Sequence, residues 1–168
     1  MVDPQGLVGA ARLLLGEKNK GAPNQARLRR AVSTAYYALF HGMLRAAADD
    51  FVGARHRKTP RYETVYRGFE HRQMKESCAA VDKPTLAQKT SKALGVTTVS
   101  QEIRDVVNAF VMLQERRHWA NYSPVAKITR SEARDLVDLA AFAAGQLGAA
   151  NADERRNFLA YLLLGVRG

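Results

Sequence analysis

The sequence predicts an all-α protein, folded as a single-domain helical bundle of about five main helices. Apolar residues recur along the chain at spacings of three and four, and most of these runs follow a capping residue or a proline. No stretch shows the alternating pattern of a half-buried strand. With 168 residues, 46% of them hydrophobic, the chain is long enough for one domain with its own core. We expect this domain to span residues 1–168, with a core over about 23–147 and a short C-terminal helix over 152–164.

Two helices are predicted before residue 52. Asp3 and Pro4 provide an N-cap and a proline at the first helical position, and the segment Gly16 to Gly21 closes this helix. Pro23 marks the start of the second helix, which extends to Phe51. One apolar stripe of this helix comprises Leu28, Val32, Ala35, Leu39, Met43 and Ala46. A second, polar-aromatic stripe comprises Arg30, Ser33 or Thr34, Tyr37 and His41. Apolar residues on most of its circumference predict a central position in the bundle.

Residues 53–62 are predicted to form a basic loop. They include four bases and no acid, namely Arg55, Arg57, Lys58 and Arg61. Such a patch is a candidate contact to the phosphate backbone of a nucleic acid. The alternative is an ordinary solvated loop.

The helices of the second half are also marked by their capping signals. A third helix is expected over 61–81, and a short segment of one or two turns over 85–94. The spacing of Thr98 and Gln101 predicts a capping box at the start of the fourth helix. Thr129 and Glu132 predict another before the fifth, whose expected inward face comprises Leu136, Val137, Ala140, Ala144 and Leu147. Asn151 and Glu154 are expected to cap the last helix.

Composition narrows the classes of partner. The formal net charge is +10, from 26 basic and 16 acidic residues, which favours an anionic partner or simply promotes solubility. The one cysteine, Cys78, excludes an intramolecular disulfide and fits a cytoplasmic location. The start resembles no secretory signal, and no apolar run is long enough for a bilayer, so no membrane association is expected. No P-loop, dinucleotide motif or zinc spacing occurs, so we expect no cofactor and no metal.

The end of the fourth helix contains a dense group of polar side chains. Residues 110–124 read FVMLQERRHWANYSP, and they include the one tryptophan of the chain. Arg117 and Asn121 are four residues apart and can share one helical face, where Arg117 could hold a phosphate. Alternatively, Arg117 belongs to an internal network while Asn121 and Tyr122 satisfy the helix end.

Three short motifs resemble the HEPN superfamily. They are AYYALFH at residues 35–41, VYRGFEH at 65–71 and RHWANY at 117–122. The resemblance implies a small helical bundle that forms a homodimer. It also implies a prokaryotic role in toxin–antitoxin systems, defence or nucleotide transfer, with a nucleotidyltransferase or antitoxin as a possible protein partner.

The sequence departs from the ribonucleases of that superfamily at one position. For those ribonucleases the resemblance implies an Arg that is followed, after four intervening residues, by a His. The Arg would hold or polarise the phosphate, and the His would help to transfer the proton of the attacking 2′-hydroxyl. Here the fifth residue after Arg117 is Tyr122, and no Arg-x4-His occurs anywhere in the chain. A tyrosine has an ordinary pKa of about 10, against about 6.5 for histidine, so it is a poor base near neutral pH. The sequence therefore favours a homodimeric binding module for RNA, a nucleotide or an acidic partner, without robust ribonuclease activity.

Two alternative functions stay open. The first is a metal-independent endoribonuclease that uses Arg117 with His118, His41 or His71, so the candidate catalytic residues are Arg117, His118 and Tyr122. Consecutive helical residues point about 100° apart, so Arg117 and His118 need not face one ligand. The second is an adaptor whose interface includes Trp119 and the C-terminal helix. For the binding function the candidate ligand-binding residues are Arg117, Asn121, Tyr122, His41, Tyr37 and His71.

Overall fold

The computed structural model of the protein describes residues 2–16 and 23–165. Within these ranges the chain forms eight α-helices and a 3₁₀ turn, without a strand, which confirms the all-α class. The helices are α1 Pro4–Leu14, α2 Gln25–Phe51, α3 Pro60–Arg67, α4 His71–Val81, α5 Gln88–Leu94, α6 Gln101–Tyr122, α7 Arg130–Ala149 and α8 Ala152–Leu164. The 3₁₀ turn spans Ala54–His56. Residues 17–21 of the predicted closure of the first helix lie outside the described ranges.

Helix α2 lies at the centre of the bundle, as its sequence predicts. It packs against α1, α3, α6, α7 and α8, and α6 and α7 also pack on each other. Its apolar stripe is buried at all but the last predicted position, where Ala47 rather than Ala46 faces fully inward. The helix begins one residue after Asn24, whose side-chain oxygen accepts from the backbone N–H of Arg27. Asn24 is thus the N-cap and Pro23 precedes it.

Of the three predicted capping pairs, one occurs as predicted. Thr129 and Glu132 form a capping box at the start of α7. Helix α6, however, is capped by Ser100, whose hydroxyl accepts from the N–H of Ile103, and Thr98 lies outside the helix. Asn151 caps α8 with its side-chain oxygen. The Glu154 carboxylate, however, accepts from the backbone N–H of Ser100 and not from that of Asn151. Glu154 therefore joins α8 to the start of α6.

The predicted continuous helix over 61–81 is wrong, because the chain breaks between α3 and α4. Phe69 lies in the break and is 6% exposed, so its ring enters the core. A Cβ atom on Gly68 would lie 2.8 Å from Cδ1 of Leu163, so the break also makes room for the end of α8. Gln73 then donates to the carbonyls of Leu162 and Leu163. Burial of Phe69 and docking of α8 outweigh the continuity of the helix.

Helix α7 presents a slightly different face from the predicted one. Ala143 is buried, whereas the predicted inward residue Ala144 is exposed.

None of the helices in the two described ranges combines the length and apolar character needed to cross a bilayer.

Candidate functional site

Arg117 is held between two tyrosines of the central helix. Its Nη1 atom donates to the hydroxyl of Tyr37 at 3.1 Å. The guanidinium carbon lies 4.9 Å from the ring centroid of Tyr36 and 5.5 Å from that of Tyr37, which is cation–π geometry. Its Nε atom is sealed from solvent and has no hydrogen-bond partner among the residues that the structure describes. In the part of the chain that the structure describes, no carboxylate lies within 4.0 Å of this guanidinium, so its charge is balanced by aromatic faces rather than by an acid.

Two tyrosine–histidine hydrogen bonds lie beside Arg117. The hydroxyl of Tyr36 is 2.5 Å from Nδ1 of His71, and the hydroxyl of Tyr66 is 2.8 Å from Nδ1 of His41. The ring of His71 stacks on Phe40 at 4.0 Å between centroids. The rings of His41 and His71 lie 6.1 Å and 6.2 Å from the ring of Tyr37. Both histidines therefore flank the tyrosine that Arg117 contacts.

Burial favours the uncharged form of both histidines. It lowers the pKa of His41, with a smaller contribution from His71, and it lowers the pKa of His71, with a smaller contribution from the positive Arg117. Burial also raises the pKa of Tyr36 and that of Tyr66, so both phenols keep their protons. Arg117 is thus the one group of this set that carries a charge near neutral pH.

We call this set the polar-aromatic cluster; it consists of Tyr36, Tyr37, His41, Tyr66, His71 and Arg117. Helices α2, α3, α4 and α6 each contribute at least one member. Tyr66 and His71 lie on either side of the break between α3 and α4, and each forms a hydrogen bond with a residue of α2. The structure thus brings together four of the six predicted ligand-binding residues, Tyr37, His41, His71 and Arg117. Tyr66 is not among the site residues predicted from the sequence, and its bond to His41 joins α3 to α2.

The other two predicted ligand-binding residues, Asn121 and Tyr122, lie outside the polar-aromatic cluster. Asn121 is the acceptor of a hydrogen bond from the Ser33 hydroxyl at 2.7 Å, so it joins α6 to α2. Tyr122 is 68% exposed, and its ring lies 4.8 Å from that of His118. Of the three predicted residues, Arg117 and Tyr122 line one groove, whereas Asn121 is not part of its lining. The internal contacts differ from the expected network, in which Arg117 pairs with a carboxylate or carbonyls, because Arg117 pairs with the hydroxyl of Tyr37 and Asn121 with that of Ser33.

A groove of about 490 Å³ opens beside Arg117. We call it the Arg117 groove; its lining residues are Lys75, Gln114, Glu115, Arg117, His118, Trp119, Tyr122 and Ser123. Arg117 and His118 thus face the same groove, although they are consecutive in a helix. Lys75 and Glu115 pair across it at 3.3 Å. The Oε1 atom of Gln114 is buried without a partner, while its Nε2 donates to the carbonyl of His71.

The segment after α6 is fixed by two side chains from the start of α2. Arg29 donates to the carbonyls of Ser123 and Ala126 at 3.2 and 2.6 Å. Gln25 pairs with both backbone groups of Ile128, donating to its carbonyl at 2.8 Å and accepting from its N–H at 2.9 Å. Because these bonds join the segment to the central helix, they hold Ser123 at the edge of the groove.

Trp119, the predicted interface anchor, is partly buried against the core. The guanidinium of Arg116 covers its ring at 5.7 Å. The tryptophan therefore has an intramolecular partner on one face.

The basic loop over 53–62 is more ordered than predicted. It contains the 3₁₀ turn, and α3 begins at Pro60. Arg57 forms a forked hydrogen bond to the carboxylate of Asp49, which also accepts from the hydroxyl of Tyr62. Burial alone would raise the pKa of Asp49, but these hydrogen bonds hold it below its ordinary value. Arg57 is thus engaged within the fold. The three other bases of the loop, Arg55, Lys58 and Arg61, are exposed.

Neither a metal site nor a reactive thiol is found in the described ranges. Within residues 2–16 and 23–165, no three His, Cys, Asp or Glu side chains gather where they could hold a metal ion. Cys78 is fully buried, and burial raises the pKa of its thiol, which is the opposite of what a nucleophile requires.

Comparison of the chain with protein-family models, with curated proteins and with solved structures found no match. The groups of the site are a guanidinium without a carboxylate partner in residues 2–16 and 23–165, two histidines whose neutral form is favoured by burial, and exposed rings beside a groove.

Proposed function

We propose that this chain is a HEPN-like homodimeric module that binds the phosphate groups of RNA or a nucleotide at the Arg117 groove. The observation that carries the proposal is the partly buried guanidinium of Arg117, which has no carboxylate partner within the described ranges. A charge removed from water is costly unless an opposite charge or several hydrogen bonds compensate it. A bound phosphate would supply both.

Two further features of the chain support a nucleic-acid ligand. The net charge of +10 attracts polyanions over long distances. Tyr122 and His118 present a pair of exposed rings at the groove, and exposed aromatic rings stack on unpaired bases. The sequence resemblance to HEPN proteins points to the same class of partner.

The proposal includes no robust cleavage of RNA. Cleavage through a 2′-hydroxyl needs a base close to the phosphate, and Tyr122 stands where the resemblance places histidine. In addition, the ring of Tyr122 lies on His118 and not on Arg117. The residues of the groove thus supply charge and stacking surfaces, and the imidazole that lines it, His118, packs against Tyr122 and does not occupy the position of the motif histidine.

Titration of a fluorescent single-stranded RNA tests the proposal. The wild type should bind with an affinity that falls as salt rises. Arg117→Ala should weaken binding by roughly 10- to 100-fold, which is the ordinary range for a hydrogen bond to a charged group. Arg117→Lys should recover part of this loss, because it restores the charge without the fork.

The matched control for this titration is Arg72→Ala. Arg72 also contributes one positive charge, but its side chain is 91% exposed and pairs with Glu76 on α4. We expect less than about a threefold effect from it. Equal losses from Arg72→Ala and Arg117→Ala would contradict the proposal, and so would binding that none of the variants changes. Binding of an acidic peptide in preference to RNA would redirect it to a protein partner.

The homodimer is tested separately. Helices α6 and α7 pack on each other, and they leave Met112 and Phe142 about half exposed, at 50% and 52%. Large exposed apolar side chains often mark an interface. Analytical ultracentrifugation at micromolar concentration should show a dimer, and Met112→Asp with Phe142→Asp should produce a monomer. A monomeric wild type would contradict this part.

One observation favours ribonuclease activity as the second candidate function. Arg117 and His71 both contact Tyr36, so an arginine and a histidine do share one site although their sequence spacing is not that of the motif. Under this candidate, the purified protein should cut RNA in the presence of EDTA, and both Arg117→Ala and His71→Gln should abolish cutting. Absence of cutting by the wild type, or cutting that survives Arg117→Ala, would eliminate it.

A further inference from the structure

The hydrogen bond between Tyr36 and His71 fixes the position of a proton. Tyr36 is 0% exposed, and Nδ1 of His71 is the one described partner of its hydroxyl. If Nδ1 carried the proton, the phenol proton of Tyr36 would point into the core without an acceptor. Buried donors rarely stay unpaired. The phenol must therefore donate to Nδ1, and the neutral ring of His71 carries its proton on Nε2.

The same reasoning applies to His41. Its Nδ1 atom lies 2.8 Å from the hydroxyl of the partly buried Tyr66. Burial raises the pKa of Tyr66, so the phenol retains its proton and can donate it. By analogy with the buried pair, we infer that this phenol donates to Nδ1 of His41, so that Nε2 carries the proton of this ring too.

The two Nε2 atoms are free to meet a ligand. Among the described residues neither atom has a protein partner, and neither belongs to the set of side-chain atoms that are sealed from solvent without a partner. Tyr37 also has a donor to offer, because its oxygen accepts from Arg117 and its own proton remains. The polar-aromatic cluster therefore presents N–H and O–H donors and no free basic nitrogen.

We propose that the polar-aromatic cluster is a donor-only site for a terminal phosphate, in which His41 and His71 bind the phosphate through Nε2–H and neither acts as a base. This inference rests on the proposed function, because Arg117 is the member of the cluster that also lines the groove, and it names the ligand: the 5′- or 3′-phosphate of a nucleotide or of an RNA end. A terminal phosphate offers three acceptor oxygens, whereas a phosphodiester inside a strand has two that are not bridging. Arg117 supplies the charge, and Tyr37 and the two histidines supply neutral donors.

The tautomers can be observed directly by ¹H–¹⁵N correlation spectroscopy of protein labelled at histidine nitrogens. At neutral pH, His41 and His71 should both show the pattern of Nε2–H, and addition of inorganic phosphate should shift both Nε2 resonances. Tyr66→Phe removes the hydroxyl beside Nδ1 of His41, so His41 should no longer be confined to the Nε2–H tautomer, whereas the tautomer of His71 should stay unchanged. This variant removes one hydroxyl from a partly buried residue, so it is safer than a change at the fully buried Tyr36.

Binding experiments supply the second measurement. An RNA oligonucleotide with a 5′-phosphate, or one with a 3′-phosphate, should bind about tenfold more tightly than the same oligonucleotide with hydroxyl ends, as expected for added charge-assisted hydrogen bonds. His71→Gln should reduce this preference, measured as the ratio of the affinities for the phosphate and hydroxyl forms.

Each outcome decides for or against the inference. An Nδ1–H pattern for either histidine in the wild type overturns it, and so does equal affinity for the phosphate and hydroxyl ends. Nε2 resonances that phosphate does not shift also overturn it. If phosphate shifts both resonances but no RNA or nucleotide binds, the donor site for phosphate stands, whereas its nucleotide or RNA ligand and the proposed function fail.

Discussion

Arg117 on α6 donates a hydrogen bond to the hydroxyl of Tyr37 on α2 at 3.1 Å, across 80 positions of sequence. The bond determines where the charged group of the polar-aromatic cluster is held. Because Tyr37 is partly exposed and its ring contacts that of Tyr36, it connects the buried ring of Tyr36 with the surface. Its hydroxyl is therefore a natural position at which to separate binding from folding.

Tyr37→Phe should weaken RNA binding by about fivefold, which corresponds to one ordinary hydrogen bond of about 1 kcal/mol. The ring remains, so the contact with Arg117 and the fold should persist. Tyr161→Phe is the matched control, because it also removes a hydroxyl, in this case one that lies 3.3 Å from Thr90 on α5. The fluorescence titration should detect the difference. Equal affinity of the two variants would show that Tyr37 does not position Arg117.

Stability should fall as the pH is lowered from about 7.5 to about 5, a window that contains the ordinary pKa of histidine. The pKa values of His41, His71 and His56 are all lowered in the folded protein. In this window the unfolded chain therefore binds more protons than the folded chain, and stability rises with pH up to the ordinary value. The stability from these histidines is present above that pH and is lost as the pH falls through the folded pKa.

Urea denaturation at several pH values would measure this dependence. The double variant His41→Gln, His71→Gln should flatten the curve in part, since His56 remains. A wild-type curve that is flat over the whole window would contradict the lowered pKa values.

The ion pair between Arg155 and Asp50 should contribute measurably to stability. Arg155 on α8 forms a forked hydrogen bond to Asp50 on α2 at 2.8 and 3.0 Å, and the side chains are 19% and 14% exposed. Asp50→Asn should lower the free energy of unfolding by about 1–3 kcal/mol, because it leaves a nearly buried guanidinium without its counter-charge.

Arg156→Ala is the control for this change. Arg156 pairs with Asp153, and both side chains are more than half exposed. Its effect on the free energy of unfolding should stay within about 0.5 kcal/mol. Chemical denaturation would compare the two, and similar losses would argue against a special role for the α2–α8 pair.

Two glycine-to-alanine changes should have opposite effects on stability. Gly145 lies inside α7, and no neighbouring atom lies within 4 Å of the position that an added methyl group would take, so Gly145→Ala should add about 0.5–1 kcal/mol through helix propensity. Gly68→Ala would place Cβ 2.8 Å from Cδ1 of Leu163 and should cost on the order of 1 kcal/mol as Leu163 moves. Thermal unfolding would measure both. A stabilising Gly68→Ala would show that α8 does not dock tightly at the break.

Local signals allowed much of the fold to be predicted. The capping box of Thr129 and Glu132 depends on residues three apart, and it occurs as predicted. The predicted capping by Thr98 is wrong because Ser100, two residues later, offers an equivalent hydroxyl. In addition, the N–H of Ser100 donates to Glu154 from a distant helix. The break at Phe69 likewise depends on the core and on α8, neither of which is visible in a window around residue 69.

The candidate site was predicted only in part, because some of its contacts are local in sequence and others join distant helices. The one-turn spacing of Tyr37 and His41 is local and placed both on one stripe of α2. The pairing of Asn121 with Ser33 spans 88 positions, and that of Tyr66 with His41 crosses from α3 to α2. Spacing along a helix shows which residues share a face, but it does not show which neighbour that face will meet.

The fully buried Cys78 offers an experimental advantage. As the one thiol of the sequence, it can react with an alkylating reagent when the contact between α4 and the rest of the bundle opens. Mass spectrometry would then measure the fraction of wild-type protein that has been alkylated over time, which reports how often this contact opens without an introduced probe. A ligand that slows the labelling would thereby report its own binding, even before its chemical identity is established.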